Sequence, residues 1–314
     1  MNKRALITGI AGFAASHLTD LLLKEGWEVY GTKRPRSRTE NIAHVSEEVS
    51  GIVLCDITDA YSVRQSVLDT KPDVIFHLAA QSYVPLSWSA PHMTMETNVN
   101  GTINVLEAAR LLEKSPIVHI ASSSQIYGNA PLPFGAETLP NPNSPYDVSK
   151  LAQEMVARSY CKSYGLRIRI TRAFNITGPR RQEFMAESSF AKQIVAIERG
   201  QQEYIRVGNL EATRDFIDVQ DAVSAYLKAV ELGEDGKVYI VASGIEHTMQ
   251  EVLDMLISFS TVEPKVVVDP ERLRPSETPR MRGDNSTMRE LGWEPAIPLH
   301  VSLRNLLDYW RSQP

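Results

Sequence analysis

Short apolar runs alternate with longer amphipathic stretches over the first half of the chain. The apolar runs, which predict β-strands, are Arg4–Ile7, Trp27–Thr32, Gly51–Leu54, Val74–Leu78, Ile117–Ser122 and Arg167–Arg172. The amphipathic stretches, which predict helices, include Phe13–Glu25, Pro91–Glu113 and Pro145–Tyr164. This alternation is typical of a parallel sheet with helices on both faces, so we expect an α/β fold with a doubly wound sheet.

The rhythm becomes irregular after about residue 173, where loop-rich stretches such as Asn175–Gln182 and Pro270–Gly283 occur. This change suits a second, smaller α/β domain. The helical stretch Val219–Val230 and the strand-like run Val238–Val241 nevertheless look like returns to the first domain. We therefore expect two interleaved domains, made of residues 1–172 with 213–243, and of residues 173–212 with 244–314.

Composition excludes several classes of protein. The chain has 314 residues, 43% of them hydrophobic, and a net charge of −5, which speaks against nucleic-acid and membrane-surface partners. The first apolar run ends too soon for a signal peptide, and no run is long enough to span a bilayer, so we expect a cytoplasmic protein. Cys55 and Cys161 lack metal-ligand spacing, and we expect no metal.

A glycine-containing turn joins the first strand to the first helix, where the chain reads Thr8-Gly9-Ile10-Ala11-Gly12-Phe13. Glycines at 9 and 12 permit a tight turn and close approach of the backbone to a pyrophosphate, which then meets the helix N-terminus. Two glycines alone are a weak signal, because any strand-to-helix turn can use them. Their place after an N-terminal strand predicts a dinucleotide site of the Rossmann type.

The end of the second strand indicates which dinucleotide binds. NAD sites usually place a carboxylate there to hold the ribose 2′-hydroxyl, whereas this chain reads Thr32-Lys33-Arg34-Pro35-Arg36. Cations would attract a 2′-phosphate, and the guanidinium of Arg34 can grip it with a planar fork. A solvated basic loop is the alternative, but the missing acid favours NADP(H).

Residues after the next two strands complete the predicted cofactor path. Asp56-Ile57 follows the third strand and is placed to hold the adenine edge, while Leu78-Ala79-Ala80 follows the fourth and would pass along the ribose. His77, just before them, is by itself more typical of a packed histidine than of a functional one.

The strongest chemical signal is a tyrosine and a lysine four residues apart. Tyr146 and Lys150 follow Pro145 at a helix start, and this spacing puts them on one face. A nearby ammonium and a positive nicotinamide would lower the pKa of the phenol, which then exchanges a proton with the substrate as hydride moves. Ser123 ends an upstream strand, where its hydroxyl can orient the same oxygen.

These motifs together resemble the extended short-chain dehydrogenase/reductase family over nearly the whole chain. The resemblance implies that Tyr146 is the acid/base, Lys150 its electrostatic partner and a ligand of the cofactor ribose, and Ser123 the orienting hydroxyl. The residues expected to bind NADP(H) are Thr8, Gly9, Ala11, Gly12, Phe13, Lys33, Arg34, Asp56, Ile57, Leu78, Ala79, Ala80, Asn98, Tyr146 and Lys150.

Segments of the second half are similar to the GDP-mannose branch of that family. They include Asn175–Arg181, Val207–Phe216 and Leu273–Glu277. The resemblance implies ligands for the diphosphate and guanine of a GDP-linked hexose. Cations suit a diphosphate and Glu277 can accept from guanine N–H groups, although a surface salt bridge is the alternative for each arginine. The expected substrate contacts are Gln81, Ser124, Gln125, Asn175, Lys192, Val207, Asn209, Arg214, Arg274 and Glu277.

One position departs from the dehydratases of this branch. They carry a carboxylate two residues before a Tyr-Gly pair, where this chain has Gln125 before Tyr127-Gly128. An amide cannot act as a base near neutral pH, whereas reduction of a 4-keto sugar needs only hydride, Tyr146, Lys150 and Ser123. NADPH-dependent reduction of a GDP-4-keto-6-deoxy sugar is therefore the expected reaction.

Four further expectations complete the picture. A dehydratase with a displaced acid/base is the first alternative, and a 4-epimerase using NAD, which Lys33 and Arg34 disfavour, is the second. A regulatory NADP-binding protein is the non-enzymatic alternative, against which the intact Ser123, Tyr146 and Lys150 argue. Family resemblance also implies a homodimer, with a tetramer as the alternative, in which Pro91–Glu113 and Pro145–Tyr164 form a four-helix interface.

Overall fold

The computed structural model describes residues 3–273 and 278–314. Its strands are β1 (Arg4–Thr8), β2 (Glu28–Lys33), β3 (Gly51–Leu54), β4 (Val74–His77), β5 (Ile117–Ser123), β6 (Arg167–Ala173), β7 (Asn175–Thr177), β8 (Tyr204–Val207), β9 (Thr213–Asp218), β10 (Val238–Val241), β11 (Glu246–Thr248) and β12 (Lys265–Val268). Its helices are α1 (Phe13–Lys24), α2 (Ala60–Thr70), α3 (Val84–Ser89), α4 (Pro91–Met95), α5 (Gly101–Arg110), α6 (Pro145–Tyr164), α7 (Ala186–Glu198), α8 (Val219–Leu232), α9 (Met249–Ser258), α10 (Ser286–Arg289) and α11 (Leu299–Ser312).

Seven parallel strands form the central sheet in the order β10-β6-β5-β4-β1-β2-β3. The chain starts at β1, winds outward to β2 and β3, and then crosses back to β4 on the other side of β1. Such a reversal leaves a crevice at the carboxyl ends of the strands. The predicted doubly wound sheet is confirmed, and the run Val238–Val241 joins it as β10, beside β6.

Each face of the central sheet has its own hydrophobic core. Successive side chains of a strand point to opposite faces, and accordingly Ile7 packs in one buried cluster while Leu6 packs in the other. The first cluster includes side chains of α1 and α8, and the second includes side chains of α2, α5 and α6. Because full burial of such a side chain is worth about 1.5–3 kcal/mol, the two cores hold the strand ends in place.

The helix predicted over Pro91–Glu113 is interrupted. The structure has α4, then a π-helical turn at Glu96–Asn100, and then α5, which ends at Arg110. π-helical turns are rare, and those that occur are often found at functional sites. Here it carries Asn98, which is fully buried and reaches the neighbouring loop and α6.

A smaller unit lies beyond the central sheet. It contains a three-stranded sheet in the order β11-β9-β7, the parallel pair β12-β8, and a third buried cluster to which α7, α9 and α11 contribute. β9 belongs to this unit's sheet, whereas β10 belongs to the central sheet. The division into two interleaved domains at the residue numbers given above stays a prediction.

Residues 3–273 and 278–314 contain neither a membrane-spanning helix nor a cluster of metal ligands. Within that part of the chain, no helix is long and apolar enough to cross a membrane. The same residues contain no group of three or more His, Cys, Asp or Glu side chains that could hold a metal ion.

Candidate active site

A large cleft of about 2480 Å³ runs along the carboxyl edge of the central sheet and reaches the smaller unit. Many of the residues singled out from the sequence lie on its walls. From the expected cofactor and catalytic sets these are Gly9, Ala11, Gly12, Phe13, Lys33, Arg34, Asp56, Ile57, Leu78, Ala79, Ala80, Ser123, Tyr146 and Lys150. From the expected substrate set they are Gln81, Ser124, Gln125, Asn175, Lys192, Asn209 and Arg214.

The glycine turn is built as its sequence predicts. Gly9 has a φ of +70°, a conformation that side chains disfavour, and a Cβ there would lie 3.1 Å from the Cα of Ala79. The N–H of Gly12 donates to the carbonyl of Gly9 at 2.8 Å, and α1 starts at the next residue. The start of α1 lines the cleft at Gly12, Phe13 and Ala14, and because the first N–H groups of a helix have no intrahelical partner, an anion can bind there.

Positively charged side chains cluster at the end of β2, at the edge of the cleft. Lys33 and Arg34 line it together with Arg36 and Arg38, which lie further along the same loop. Asp56, after β3, uses one carboxylate oxygen to accept from the N–H and the hydroxyl of Thr58, at 3.0 and 2.9 Å. The edge of the cleft next to β2 thus carries four cations, while the carboxylate of Asp56 is engaged by its own loop and Glu40 also lines the cleft beyond Arg38.

Tyr146 and Lys150 lie in the first turns of α6. The hydroxyl of Ser144 caps this helix by accepting from the N–H of Asp147 at 3.1 Å, and Pro145 occupies the first helical position. Ser123 ends β5, which runs beside β4 and β6. The side chains of Ser123, Tyr146 and Lys150 are each more than nine-tenths buried, so the structure brings the predicted trio together in a largely dry corner of the cleft.

Burial dominates the acidity of this trio. It raises the pKa of Tyr146 to about 12, against the lowering effect of a hydrogen bond with Ser123. It also lowers the pKa of Lys150 to about 8, against the raising effect of Glu154. The fall expected from Lys150 together with a bound, positively charged nicotinamide stays a prediction; in the chain alone the ammonium of Lys150 donates to Ala121 O and Gln153 Oε1, both at 2.6 Å.

A buried ion pair that the sequence analysis missed lies behind the trio. Glu154 is one turn beyond Lys150, and its carboxylate accepts from the guanidinium of Arg172 on β6, with a shortest distance of 2.8 Å. Ser122 donates to the same carboxylate, and Arg172 donates to the hydroxyl of Tyr127 at 2.7 Å. Tyr146, Lys150 and Glu154 are spaced four residues apart, and this spacing is the sequence signal that places Glu154 on the same face of the helix.

The opposite wall carries cations that already have partners. Lys192 pairs with Glu183 and lies 5.2 Å from the centre of the Trp310 ring. Arg214 is buried and donates to the carbonyl of Thr278 at 2.9 Å. A phosphate would therefore compete with existing protein contacts at Lys192.

Arg181 is a cleft cation that was not singled out as a ligand. It lies 5.1 Å from the centre of the Phe13 ring and pairs with Glu187 at 3.1 Å. Its charge acts on Tyr146, whose pKa it lowers slightly against the larger effect of burial.

Three predicted ligands do not line the cleft, and two cannot be placed. Thr8 and Asn98 lie just beneath its wall, where they hold backbone groups of residues 78–81. Val207 is fully buried in the core of the smaller unit. Arg274 and Glu277 lie outside the described residues.

The match to a protein-family model decides the family. The model of GDP-mannose 4,6 dehydratase matches residues 6–306, which is nearly the whole chain. The chain belongs to this family. The resemblance to the GDP-mannose branch, which the motifs indicated, is thereby confirmed.

Relatives with different activities are about equally similar to the chain. It is 32% identical to GDP-6-deoxy-D-mannose reductase of Pseudomonas aeruginosa, over 100% of this chain and 99% of the relative. It is 33% identical to UDP-glucose 4-epimerase of Mycolicibacterium smegmatis, over 99% of each. The solved structure of RMD from Pseudomonas aeruginosa complexed with NADPH has a TM-score of 0.86, at 32% identity over 99% of each chain. Identity alone therefore does not select an activity.

The buried ion pair predicts a large loss of stability in Glu154→Gln. This change leaves the guanidinium of Arg172 buried without a compensating charge, so the free energy of unfolding should fall by about 3–5 kcal/mol. Urea unfolding at neutral pH measures the loss. The matched control is Glu294→Gln, which breaks the exposed pair with Arg289 and should cost about 1 kcal/mol or less. Equal losses in the two variants would refute the prediction.

Proposed function

We propose that this chain reduces the 4-keto group of a GDP-4-keto-6-deoxy sugar with NADPH as the hydride donor. The observation that carries the proposal is Gln125. Its side chain lies at the cleft beside the Ser123 turn, with the amide nitrogen 3.7 Å from the sulfur of Met281. An amide there cannot move the C5 proton as a dehydratase carboxylate does, while the groups needed for reduction are all present.

The residues around the cleft fit NADPH. The start of α1 and the glycine turn suit its pyrophosphate, and Lys33 and Arg34 suit its 2′-phosphate. When bound, NADPH supplies the hydride. The relative solved with NADPH, which is similar over 99% of its length, supports this choice of cofactor.

Tyr146 would provide the proton in this reaction. With a pKa of about 12, its phenol stays protonated at neutral pH and can donate to the oxygen that becomes negative at C4. Ser123 would donate a hydrogen bond to the same oxygen, and the ammonium of Lys150 would stabilise the negative charge from one helical turn away. Reduction requires that Tyr146 is protonated before the reaction begins. A dehydratase and an epimerase begin with oxidation, for which Tyr146 must first act as a base.

One observation favours a dehydratase as the second candidate. Asp147 lines the cleft next to Tyr146, and its Oδ1 has no hydrogen-bond partner among the described residues. Burial raises the pKa of this carboxyl, against hydrogen bonds from Ser144 and Asn143. It is one carboxyl group of the cleft that could serve as the displaced acid/base of the dehydratase alternative, although its Oδ2 also accepts from the N–H of Asn143 at 3.1 Å.

A homodimer is also part of the proposal, with a tetramer as the alternative. Apolar side chains are exposed on or next to the two helices that would pair, namely Met95, Leu111, Val148 and Met155, the last of them 63% exposed. Pairing α5 and α6 with their counterparts across a twofold axis would cover them.

Light scattering tests the association. The expected mass is at least twice the 35.1 kDa of one chain, and Met155→Glu should lower it by placing a charge in the interface. A wild-type protein that stays monomeric at micromolar concentration would contradict the dimer.

Two incubations distinguish the candidate reactions. With the GDP-4-keto-6-deoxy sugar, the protein should oxidise NADPH, and with GDP-mannose and NADP it should form essentially no 4-keto product. Tyr146→Phe should slow the reduction by about 10²–10⁴-fold, because acid–base catalysis is lost. Tyr61→Phe, at an exposed tyrosine away from the cleft, is the control and should be unchanged.

Conversion of GDP-mannose at an ordinary rate would overturn the reductase proposal. In that case Asp147→Asn should abolish the conversion. Turnover that survives this variant would leave the acid/base of the dehydratase to be sought elsewhere.

Cofactor choice should follow Arg34. Arg34→Asp turns attraction for a 2′-phosphate into repulsion, so NADPH affinity should fall by a larger factor than NADH affinity. Fluorescence titration of the two cofactors measures this ratio. Arg64→Asp, at an exposed position on α2, controls for the change in net charge. Equal losses for the two cofactors would refute the assignment of NADP(H).

A further inference from the structure

Gln153 lies on α6 less than one turn beyond Lys150 and is fully buried. Its Oε1 accepts from the ammonium of Lys150 at 2.6 Å, and its Nε2 donates to the hydroxyl of Thr102 at 2.8 Å. A lysine ammonium has three donors, and a second one reaches Ala121 O. Among the described residues, the structure gives the third donor no acceptor, so it is the one left for a bound molecule.

Thr102, on α5, fixes the tautomer of His77. Its hydroxyl donates to the carbonyl of Asn98 at 2.6 Å and accepts from Gln153. A hydroxyl has one proton, so its 3.0 Å contact with His77 Nε2 must be donated by the imidazole. His77 therefore carries its proton on Nε2 and is an acceptor at Nδ1.

The chain of hydrogen bonds ends at the glycine turn. His77 Nδ1 lies 2.9 Å from the hydroxyl of Thr8, which donates to it and accepts from the N–H groups of Leu78 and Ala79 at 3.1 and 3.0 Å. Each hydroxyl then uses one donor and two acceptor sites, and no proton is left unassigned. Side chains of β1, β4, α5 and α6 thus join the start of the cofactor turn to Lys150.

We propose that Gln153 is a positioning residue for the reaction, which aims the ammonium of Lys150 through the hydrogen-bond chain that Thr102, His77 and Thr8 anchor. The inference rests on the proposed function, because it deepens the role of Lys150 in the same site. An amide oxygen orients the ammonium and leaves its positive charge uncancelled. A carboxylate in the same place would hold the ammonium more tightly but would neutralise its field at the substrate oxygen.

The groups around the ammonium of Lys150 allow this role to be tested by the pH dependence of the reaction. The titratable groups that interact with it electrostatically are Glu154 on α6, His77 on β4 and His119 on β5. Burial lowers the pKa values of both histidines to about 3, so they stay neutral at working pH. Lys150, with a pKa lowered by burial to about 8, is then the group that loses its charge as pH rises.

Two variants at 153 should move this titration in opposite directions. Gln153→Met keeps the size but removes the acceptor that favours the protonated form, so the alkaline limb of kcat should shift to lower pH by about one unit. Gln153→Glu adds a negative charge and should shift it to higher pH while lowering kcat at the plateau. Thr102→Val should act like Gln153→Met, and Thr102→Ser, which keeps the hydroxyl, should restore the wild-type profile.

The readouts are kcat for the 4-keto sugar and the dissociation constant of NADPH, each measured against pH, with Gln250→Met at an exposed glutamine of α9 as the control. NADPH binding is included because Lys150 lines the cofactor cleft. If the wild-type protein binds NADPH but does not reduce the sugar, the proposed function fails, and the pH dependence of binding still tests Gln153. The inference would be overturned if the alkaline limb of kcat in both Gln153 variants coincided with that of the wild type. It would also be overturned if kcat fell by the same factor at every pH. Should Gln153→Met not fold, Gln153→Glu decides by the same criterion.

Discussion

Moving an ammonium group from water into a protein interior costs several kcal/mol unless its donors find acceptors. Lys150 is only 4% exposed, so its neighbours have to meet this requirement. The carbonyl of Ala121 on β5 and the amide of Gln153 on α6 accept two of its donors, and Glu154 supplies a negative charge nearby. These contacts fix α6 against β5, which is why Tyr146, on the same face of α6, comes to lie against Ser123.

The topology of the sheet explains why one polar network serves both halves of the site. β1 and β4 are neighbours although a long stretch of chain separates them, and their carboxyl ends meet at the point where the winding reverses. Thr8 and His77 close these two strands and are bonded to each other. The glycine turn therefore cannot shift without disturbing His77, and through it the side chains that hold Lys150.

Features of the site that depend on local sequence patterns could be predicted, whereas contacts between residues distant in sequence could not. The glycine turn, the bounds of α6 and the Tyr146–Lys150 face follow from spacing within a few residues, and the structure has them. The partnership of Glu154 with Arg172 joins residues from α6 and β6, and no local rule pairs them. Sequence spacing also could not show how deeply Tyr146 is buried, and this burial is what raises the pKa of its phenol in the chain alone. Val207 failed to reach the cleft for a related reason, because the pattern of β8 turns it into the core.

The acidity of Tyr146 links the architecture to the direction of the proposed chemistry. NADPH carries no positive charge on its nicotinamide, so in the complex that begins a reduction the cofactor adds nothing to the weaker effects of Ser123 and Arg181, and burial keeps the phenol protonated. NADP does carry that charge, which would favour the phenolate. The same trio can therefore act as an acid in one direction and as a base in the other, and it cannot by itself separate a reductase from a dehydratase. The distinction depends on whether a second group that can carry a proton lies at C5 of the sugar. Gln125, at the position of the dehydratase carboxylate, cannot do so, whereas the carboxyl group of Asp147, which also lines the cleft, can.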